Sequence, residues 1–448
     1  MSNYRKQISS AYVQCDPFES LKFDDPRWVE LDKDGVRGNY SCTEMILNTL
    51  ELMTEQERYA HLLFSGFPGS GKSTLLLRLV GELRNLGHDV IYVDVEEYLN
   101  LNIPIETYEI LLAIAGEMDK QFPRTSQQSL WDSISGFLNR EVSASADIKF
   151  AIPGGSEMRM ELRENVDFRR SVKELINKRQ KHPAIIEQCR QFIDKTVAEH
   201  QSAKPIVVVL DNLERNRGRQ HQEIRDSLHA SFNLYAKDLH LPCHTVYSIP
   251  PWLRFTSDAT SMVSKFDKDF ILPMCKVIDQ KSGDRYQKGI DLLVEIAAKR
   301  FDVEQVFGDT NPGFLRNLGY LSGGYIRDYL RLVRGVLLKI YTLKFDGPPS
   351  KEELQRFADE ESVALADDYG PSISLSDMPI LLEVQAKKDV PKELNDIEKL
   401  IDWLDNHFII CYQNGGEWYD IHPLLAEKSN RFKRLAQEIE QQDVDPTP

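Results

Sequence analysis

Apolar residues gather along the chain in short unbroken runs, separated by longer stretches where they recur every three or four positions. The runs are His61-Leu62-Leu63-Phe64-Ser65, Asp89 to Val95, Ile206 to Asp211, Cys243 to Ser248 and Phe270 to Val277. A continuous apolar run such as Ile206 to Leu210, closed by the carboxylate of Asp211, is the pattern of a strand buried on both faces of a parallel sheet, and the set predicts about five strands. Thr74 to Leu83 reads as helix between the first two runs, as a right-handed β-α-β crossover requires. Ahead of them, Thr43 to Met53 carries Ile46, Leu50 and Met53 at helical spacing.

From Ile105 to Ala203 the pattern is helical and charged, with a short strand expected over Asp147 to Ile152 and a turn at Pro153-Gly154-Gly155. Helices are expected again over Gly289 to Phe301 and Gly324 to Tyr341, and Gly347-Pro348-Pro349-Ser350 marks a boundary. The last region changes character. Asn395 to Asn406 places Ile397, Leu400, Ile401 and Leu404 on one helical face, followed by Phe408 to Gln413, the turn Asn414-Gly415-Gly416 and Trp418 to Ile421. A helix followed by a two-stranded hairpin predicts a winged-helix-like module. The expected order is an N-terminal segment 1–40, an α/β core 41–278 with a helical insertion 105–203, a second helical region 279–346, the winged-helix-like domain 347–435 and a polar tail 436–448.

At 448 residues the chain is long enough for two or three domains. No apolar run approaches the roughly 20 residues that cross a bilayer, and Met1 to Ser10 lacks a signal-peptide core, so a soluble, cytoplasmic protein without membrane contact is expected. Six cysteines are scattered without a C-x-x-C pair, which points to buried thiols rather than zinc or disulfides. A formal charge of −15 argues against a chain that coats DNA with its whole surface.

The most specific chemistry is Gly66-Phe67-Pro68-Gly69-Ser70-Gly71-Lys72-Ser73, which matches G-x-x-x-x-G-K-[ST] between a strand and a helix. Glycines let the backbone curl so that successive N–H groups converge, and the helix N-terminus adds its positive dipole end, which together suit a polyphosphate. Gly66, Phe67, Pro68, Gly69, Ser70, Gly71, Lys72, Ser73 and Thr74 are therefore the candidate nucleotide-binding residues. Lys72 is expected to reach the β and γ phosphates, and Ser73 to offer its hydroxyl to Mg²⁺.

Asp211 closes its strand at the carboxyl end, where open α/β sheets place ligands, and is the second candidate Mg²⁺ ligand. Glu214, three positions on, is either the carboxylate that orients a hydrolytic water or a helix-start residue beside Arg215. Ser248 ends the next strand and either reports a γ-phosphate or caps a loop, with Thr245 and Asn212 as other polar neighbours. Leu321-Ser322-Gly323-Gly324 looks like the signature of ABC-type ATPases, but there it precedes the magnesium-binding strand, whereas here it follows Asp211. It is better read as a loop into an amphipathic helix whose buried stripe is Ile326, Tyr329, Leu330, Val333, Leu337 and Ile340. Arg327 lies off that stripe, either facing a γ-phosphate or exposed on the helix.

Taken in order, Gly66 to Thr74, Val207 to Arg215, Val246 to Pro251 and Ser322 to Arg334 resemble the AAA+ and STAND group of P-loop ATPases, with further likeness to the origin-recognition and KAP-type branches. The resemblance spans Gly38 to Tyr341. It implies a sheet of order 5-1-4-3-2, a helical lid over 279–346, bound ATP with Mg²⁺, and a nucleotide-dependent lid angle and assembly state. Two departures stand out: Asn212 occupies the position of a common catalytic glutamate, and no arginine finger is plain, with Arg225 and Arg254 as alternatives to surface ion pairs. The resemblance also places the adenine grip around Val36 to Tyr40.

The first functional expectation is a regulatory ATPase, a homo-oligomer whose nucleotide state controls assembly or a separate effector protein, in bacterial defence or signalling. The second is a DNA-binding loader or transposition helper. Charge opposes it, because the candidate recognition helix carries Asp396, Glu398, Asp402 and Asp405 against Lys399. Basic clusters at Arg215, Arg217 and Arg219, and at Arg169, Arg170 and Lys173, read as solvated faces. The third is a nucleotide-dependent structural switch with little turnover.

Overall fold

The structure is a computed structural model that describes residues 2–38, 40–122, 130–144, 150–178, 180–200, 204–215, 221–256, 258–308, 313–369, 373–390, 397–413 and 416–444. The chain divides into two compact units, one of Thr43–Ser65 and Leu76–Ile271, the other of Met1–Cys42, Gly66–Leu75 and Leu272–Pro448.

The first unit is built on a five-stranded parallel sheet whose strands are β1 (His61–Gly66), β2 (Val90–Asp94), β3 (Val207–Asp211), β4 (His244–Ile249) and β5 (Lys268–Leu272). Their spatial order is β2-β3-β4-β1-β5, which read from the other edge is 5-1-4-3-2, the order expected of this class of P-loop fold. All five apolar runs became strands. In β3, Val207 to Leu210 are fully buried, as a strand with neighbours on both sides and helices on both faces demands. One strand is shorter than expected: β5 stops at Leu272 because Pro273 has no N–H to continue a ladder.

Among the described residues, the insertion between β2 and β3 carries the α-helices Thr107–Gln121, Leu130–Ser143, Gly155–Glu164, Val166–Lys178 and His182–His200. The strand expected over Asp147 to Ile152 is not there in its described part, since residues 150–152 belong to no strand and 147–149 lie outside the described residues. Phe150 instead meets Phe168 edge-on, at 5.7 Å between ring centroids.

The second unit is largely helical. Its first helix, Asn3–Gln14, was hidden by a polar composition, although Ser2 caps it by accepting the Arg5 N–H. Tyr4 donates to the Val306 carbonyl at 2.7 Å, and the Tyr12 ring lies 4.2 Å from the Arg334 guanidinium, so the segment is docked along the helix Ile326–Thr342. The expected helices appear as Gln287–Ala298 and Ile326–Thr342. Beyond them come Lys351–Tyr369, Met378–Lys387, Ile397–Asp405, the antiparallel pair β6 (Ile409–Tyr412) and β7 (Trp418–Ile421), then Pro423–Lys428 and Asn430–Val444. The last of these runs through most of the expected polar tail. Residues 395–396 and 414–415, where the terminal helix start and hairpin turn were expected, lie outside the described residues. Among the described residues no helix is long and apolar enough to cross a membrane, and the six cysteines are buried and form no disulfide.

Candidate nucleotide-binding site

The phosphate loop is shaped by its glycines. Gly69 and Gly71 sit at φ +87° and +90°, a region L side chains rarely enter, and Ser70 N–H closes the turn on the Phe67 carbonyl at 3.1 Å. A Cβ at Gly66 would come within 3.1 Å of Leu272 Cβ, so the strand exit is also close-packed. The helix Lys72–Asn85 begins at the lysine itself, and Lys72 is 5% exposed. Ser70 Oγ is buried with no hydrogen-bond partner among the described residues. Two glycines in the left-handed region before a helix start, a buried cation and an unsatisfied hydroxyl fit a polyphosphate with its metal, and Ser73 at the second helical position fits a hard oxygen ligand.

Three contacts to this loop were not foreseen. Arg37 donates through Nη2 to the Ser70 carbonyl, which ties the segment expected to grip adenine to the loop. Within that segment Val36 is fully buried and Tyr40 is 74% exposed, while residue 39 lies outside the described residues. The Thr74 hydroxyl accepts the Leu21 N–H at 3.1 Å, so the N-terminal segment braces the loop. The third contact comes from the start of the helix Ile326–Thr342. Arg327 N–H points to the Gly69 carbonyl at 3.4 Å, and a Cβ at Gly69 would lie 3.1 Å from Arg327 Cβ and 3.4 Å from the Tyr325 ring. A Cβ at Gly71 would lie 3.1 Å from Ile326 Cδ1. Sequence spacing could not reveal this, because more than 250 residues separate the partners, although the absence of side chains at 69 and 71 is the local signal that something approaches closely. The Arg327 guanidinium also lies 5.4 Å from the Phe18 ring.

In the sheet unit, the other candidate residues line one edge. Asp94 is in register with Asp211, Leu210 with Tyr247, and Phe64 with Ser248, so Asp94, Asp211, Ser248 and the exit of β1 lie side by side at the carboxyl ends. With β4 between them, the ends of β1 and β3 are about 10 Å apart. Asp211 is fully buried; its Oδ2 accepts the Tyr92 hydroxyl at 2.9 Å and its Oδ1 the Asn212 N–H at 2.8 Å. Burial and then the Asp211 charge drive the Tyr92 hydroxyl far above its usual pKa, so it stays a donor. Asn212 adopts φ +70° and donates through Nδ2 to Asp94 Oδ1 at 2.9 Å. Burial raises the Asp94 pKa, and the Asn212 hydrogen bond opposes it in part.

Glu214 and Ser248 meet. Ser248 Oγ donates to Glu214 Oε2 at 2.8 Å, and both are buried. The serine thus holds the carboxylate rather than standing as a separate polar group, and Glu214 is not a solvated helix-start residue. Arg254 donates to Asp269 at 3.2 Å, which takes up one of the two candidate fingers.

Of the basic clusters, Arg170 and Arg215 are exposed, as a solvated face requires, and Arg169 is the exception. Arg169 is 2% exposed and donates to both oxygens of Glu109 and to the carbonyls of Asn100 and Pro104. Arg170 pairs with Asp167, Lys173 with Glu106, and Arg215 with Glu96. Arg217 and Arg219 lie outside the described residues.

No protein-family model matches the chain, and no curated protein matches it. Among solved structures it is similar to Cdc6p from Pyrobaculum aerophilum, at 14% identity over 93% of this chain and 98% of that one, with a TM-score of 0.37. It is also similar to the Aeropyrum pernix ORC1 protein in complex with DNA, at 12% identity over 92% and 96% of the two chains and a TM-score of 0.35. A third is the Thermotoga maritima RuvB Holliday junction branch migration motor, at 12% identity over 86% and 95% and a TM-score of 0.34.

Proposed function

We propose that the chain is a regulatory ATPase of the AAA+ or STAND kind, in which Gly66 to Thr74 bind the phosphates of ATP and Arg327 senses the γ-phosphate. The observation that carries this reading is the approach of Arg327 to Gly69. A helix whose second residue is already seated on the phosphate loop changes its footing when that loop fills, and a cation there meets the negative charge. When bound, Mg²⁺ neutralises part of the phosphate charge, with Ser73 and Asp211 as its protein ligands. Lys72 holds the phosphate oxygens by charge-assisted hydrogen bonds. Tyr92 fixes the Asp211 carboxylate by donating to it, and Ser248 fixes Glu214, the residue assigned to orient the hydrolytic water. The output assigned to this cycle is a change of assembly state or the engagement of a separate effector protein, with defence or signalling as its setting.

A test compares ATP binding and hydrolysis in the full chain, with and without duplex DNA, for wild type, Lys72→Ala and Glu214→Gln. The regulatory ATPase predicts that Lys72→Ala loses ATP affinity at least tenfold, about 1.4 kcal/mol, and that Glu214→Gln binds ATP but turns over slowly. Equal hydrolysis by wild type and Lys72→Ala, at background level with ATP still bound, would leave only a structural switch. Strong stimulation by DNA would instead favour a loader, a reading disfavoured by the internal pairing of Arg169, Arg170 and Lys173.

A further inference from the structure

The six residues from Gly323 to Asp328 have two faces. On one, Tyr325, Ile326 and Arg327 close on Gly69 and Gly71 of the phosphate loop. On the other, Gly323 accepts the Tyr412 hydroxyl of β6 at its carbonyl, 2.9 Å away, and sits at φ +63° where a Cβ would strike Ile410 and approach Pro423 and His422. Gly324, at φ +88°, leaves no room for a Cβ against the Cys275 carbonyl. The Leu321-Ser322-Gly323-Gly324 motif is therefore a packing seam against β6.

Asp328 completes the second face. Its carboxylate is fully buried, and Oδ2 lies 3.1 Å from His407 Nδ1 and 3.6 Å from His422 Nε2. The two imidazoles are parallel within 2°, and both lie against the Tyr325 ring, at centroid distances of 4.1 and 5.6 Å. Arg331 Nη1 stands 3.8 Å from Oδ1, and the Tyr369 hydroxyl also faces the carboxylate. His407 is held at φ +61°, just past the helix Ile397–Asp405, where glycine is the favoured residue. A histidine kept in that conformation and aimed at a buried carboxylate marks the side chain as needed.

Three such ligand atoms could surround a metal ion. The tautomer decides otherwise. His422 Nδ1 accepts the Leu424 N–H at 3.2 Å, which places the single proton of a neutral ring on Nε2, facing Asp328 as a donor. Burial lowers the His422 pKa against the pull of Asp328, which keeps that ring neutral.

We propose that Asp328, clamped by His407 and His422 of the C-terminal module, is the positioning residue for Arg327, so that this module sets how firmly the helix start grips the phosphate loop. The proposal deepens the ATPase reading and rests on it only for its nucleotide arm. That arm measures mant-ATP and mant-ADP binding to the full chain. Asp328→Asn should weaken mant-ATP about tenfold and leave mant-ADP within twofold, and it should add nothing in an Arg327→Ala background. Equal weakening of both nucleotides, or a full additional loss in the Arg327→Ala background, overturns it.

A second arm needs no nucleotide. Hydrogen exchange of the amides of residues 69–73 should quicken several-fold in Asp328→Asn and in His407→Gly, with the amides of β2 unchanged. His407→Gly is the decisive variant, because glycine suits the backbone there and a folding failure is not expected. Unchanged exchange at residues 69–73 overturns the relay even if ATP binds. Failure of wild type to bind mant-ATP, with the exchange coupling intact, overturns the ATPase reading alone. One equivalent of zinc retained through dialysis against EDTA would overturn the hydrogen-bonded clamp in favour of a metal site.

Discussion

Arg169 in the sheet unit and Asp328 in the helical unit are both withdrawn from solvent, at 2% and 0% exposure, yet they are held in different ways. Arg169 uses Nε and Nη2 on the two oxygens of one glutamate and spends Nη1 and Nη2 on backbone carbonyls, so all three of its nitrogens are engaged within one group of helices and their preceding loop. Asp328 has His407 at 3.1 Å, His422 and Arg331 farther off at 3.6 and 3.8 Å, and the Tyr369 hydroxyl facing it as well. A charge network of close hydrogen bonds fixes a single arrangement, whereas one with longer contacts can exchange partners when its surroundings move. The first plan suits a rivet and the second a joint.

The largest expected effect breaks the rivet. Arg169→Met leaves Glu109 buried without its cation, and the cost should be about 3–5 kcal/mol of stability in urea unfolding at pH 7. Adding Glu109→Leu should recover most of it, since replacing a buried pair by apolar side chains of similar volume is often close to neutral. ATP affinity of the folded fraction should stay at the wild-type value in both variants. A large change in affinity would show that the insertion is coupled to the nucleotide site and that the contrast between rivet and joint is misplaced.

How far the sequence reached follows the same division. The strands were legible because each apolar run satisfies its own burial requirement locally, and β3 declares itself by Val207 to Leu210 without any partner. The phosphate loop was legible because its glycines and Lys72 are contiguous. What the chain concealed is held by partners far apart: Arg37 on Ser70, Leu21 on Thr74, Ser248 on Glu214, and His407 and His422 on Asp328. Arg169 read as a surface cation because its helix, Val166–Lys178, is polar in composition, and only the approach of Glu109 makes its burial tolerable. Asp328 lies next to Arg327 but off the apolar stripe of its helix, where a carboxylate reads as solvated, so periodicity could not reveal its burial. The terminal helices were missed because their polar composition masks the apolar stripe, as in Asn430–Val444, where Phe432 and Leu435 are buried amid a mainly polar sequence.

A smaller effect sharpens the comparison inside the sheet unit, where the Ser248–Glu214 pair is another closed contact. Ser248→Ala removes the donor that fixes the carboxylate, and steady-state ATP hydrolysis should fall about tenfold, about 1.4 kcal/mol of barrier. ATP affinity should change less than twofold. Tyr92→Phe acts on Asp211 in the same manner, and its signature should be a raised Mg²⁺ requirement measured by titrating the metal at fixed ATP. Should either variant match wild type in both readouts, the hydroxyl in question does not position its carboxylate.

The smallest effect separates two buried histidines by pH. His244 is closed on both sides: Nδ1 accepts the Ala60 N–H at 2.9 Å and Nε2 meets the Thr54 hydroxyl at 2.8 Å. Burial lowers its pKa to about 4, so it folds neutral and protonates readily only when unfolded. The unfolded chain therefore binds the extra proton as pH falls through the ordinary histidine value, and stability is lost in that direction, by about 0.7 kcal/mol between pH 7 and pH 6. His422 shifts the same way for the same reason, but there Asp328 draws the ring toward its charged form and opposes the shift. His244→Gln should accordingly flatten the acid slope of urea-unfolding free energy more than His422→Gln does. An equal flattening would mean that Asp328 gives His422 no electrostatic support, and the joint would then lack the charge that distinguishes it from the rivet.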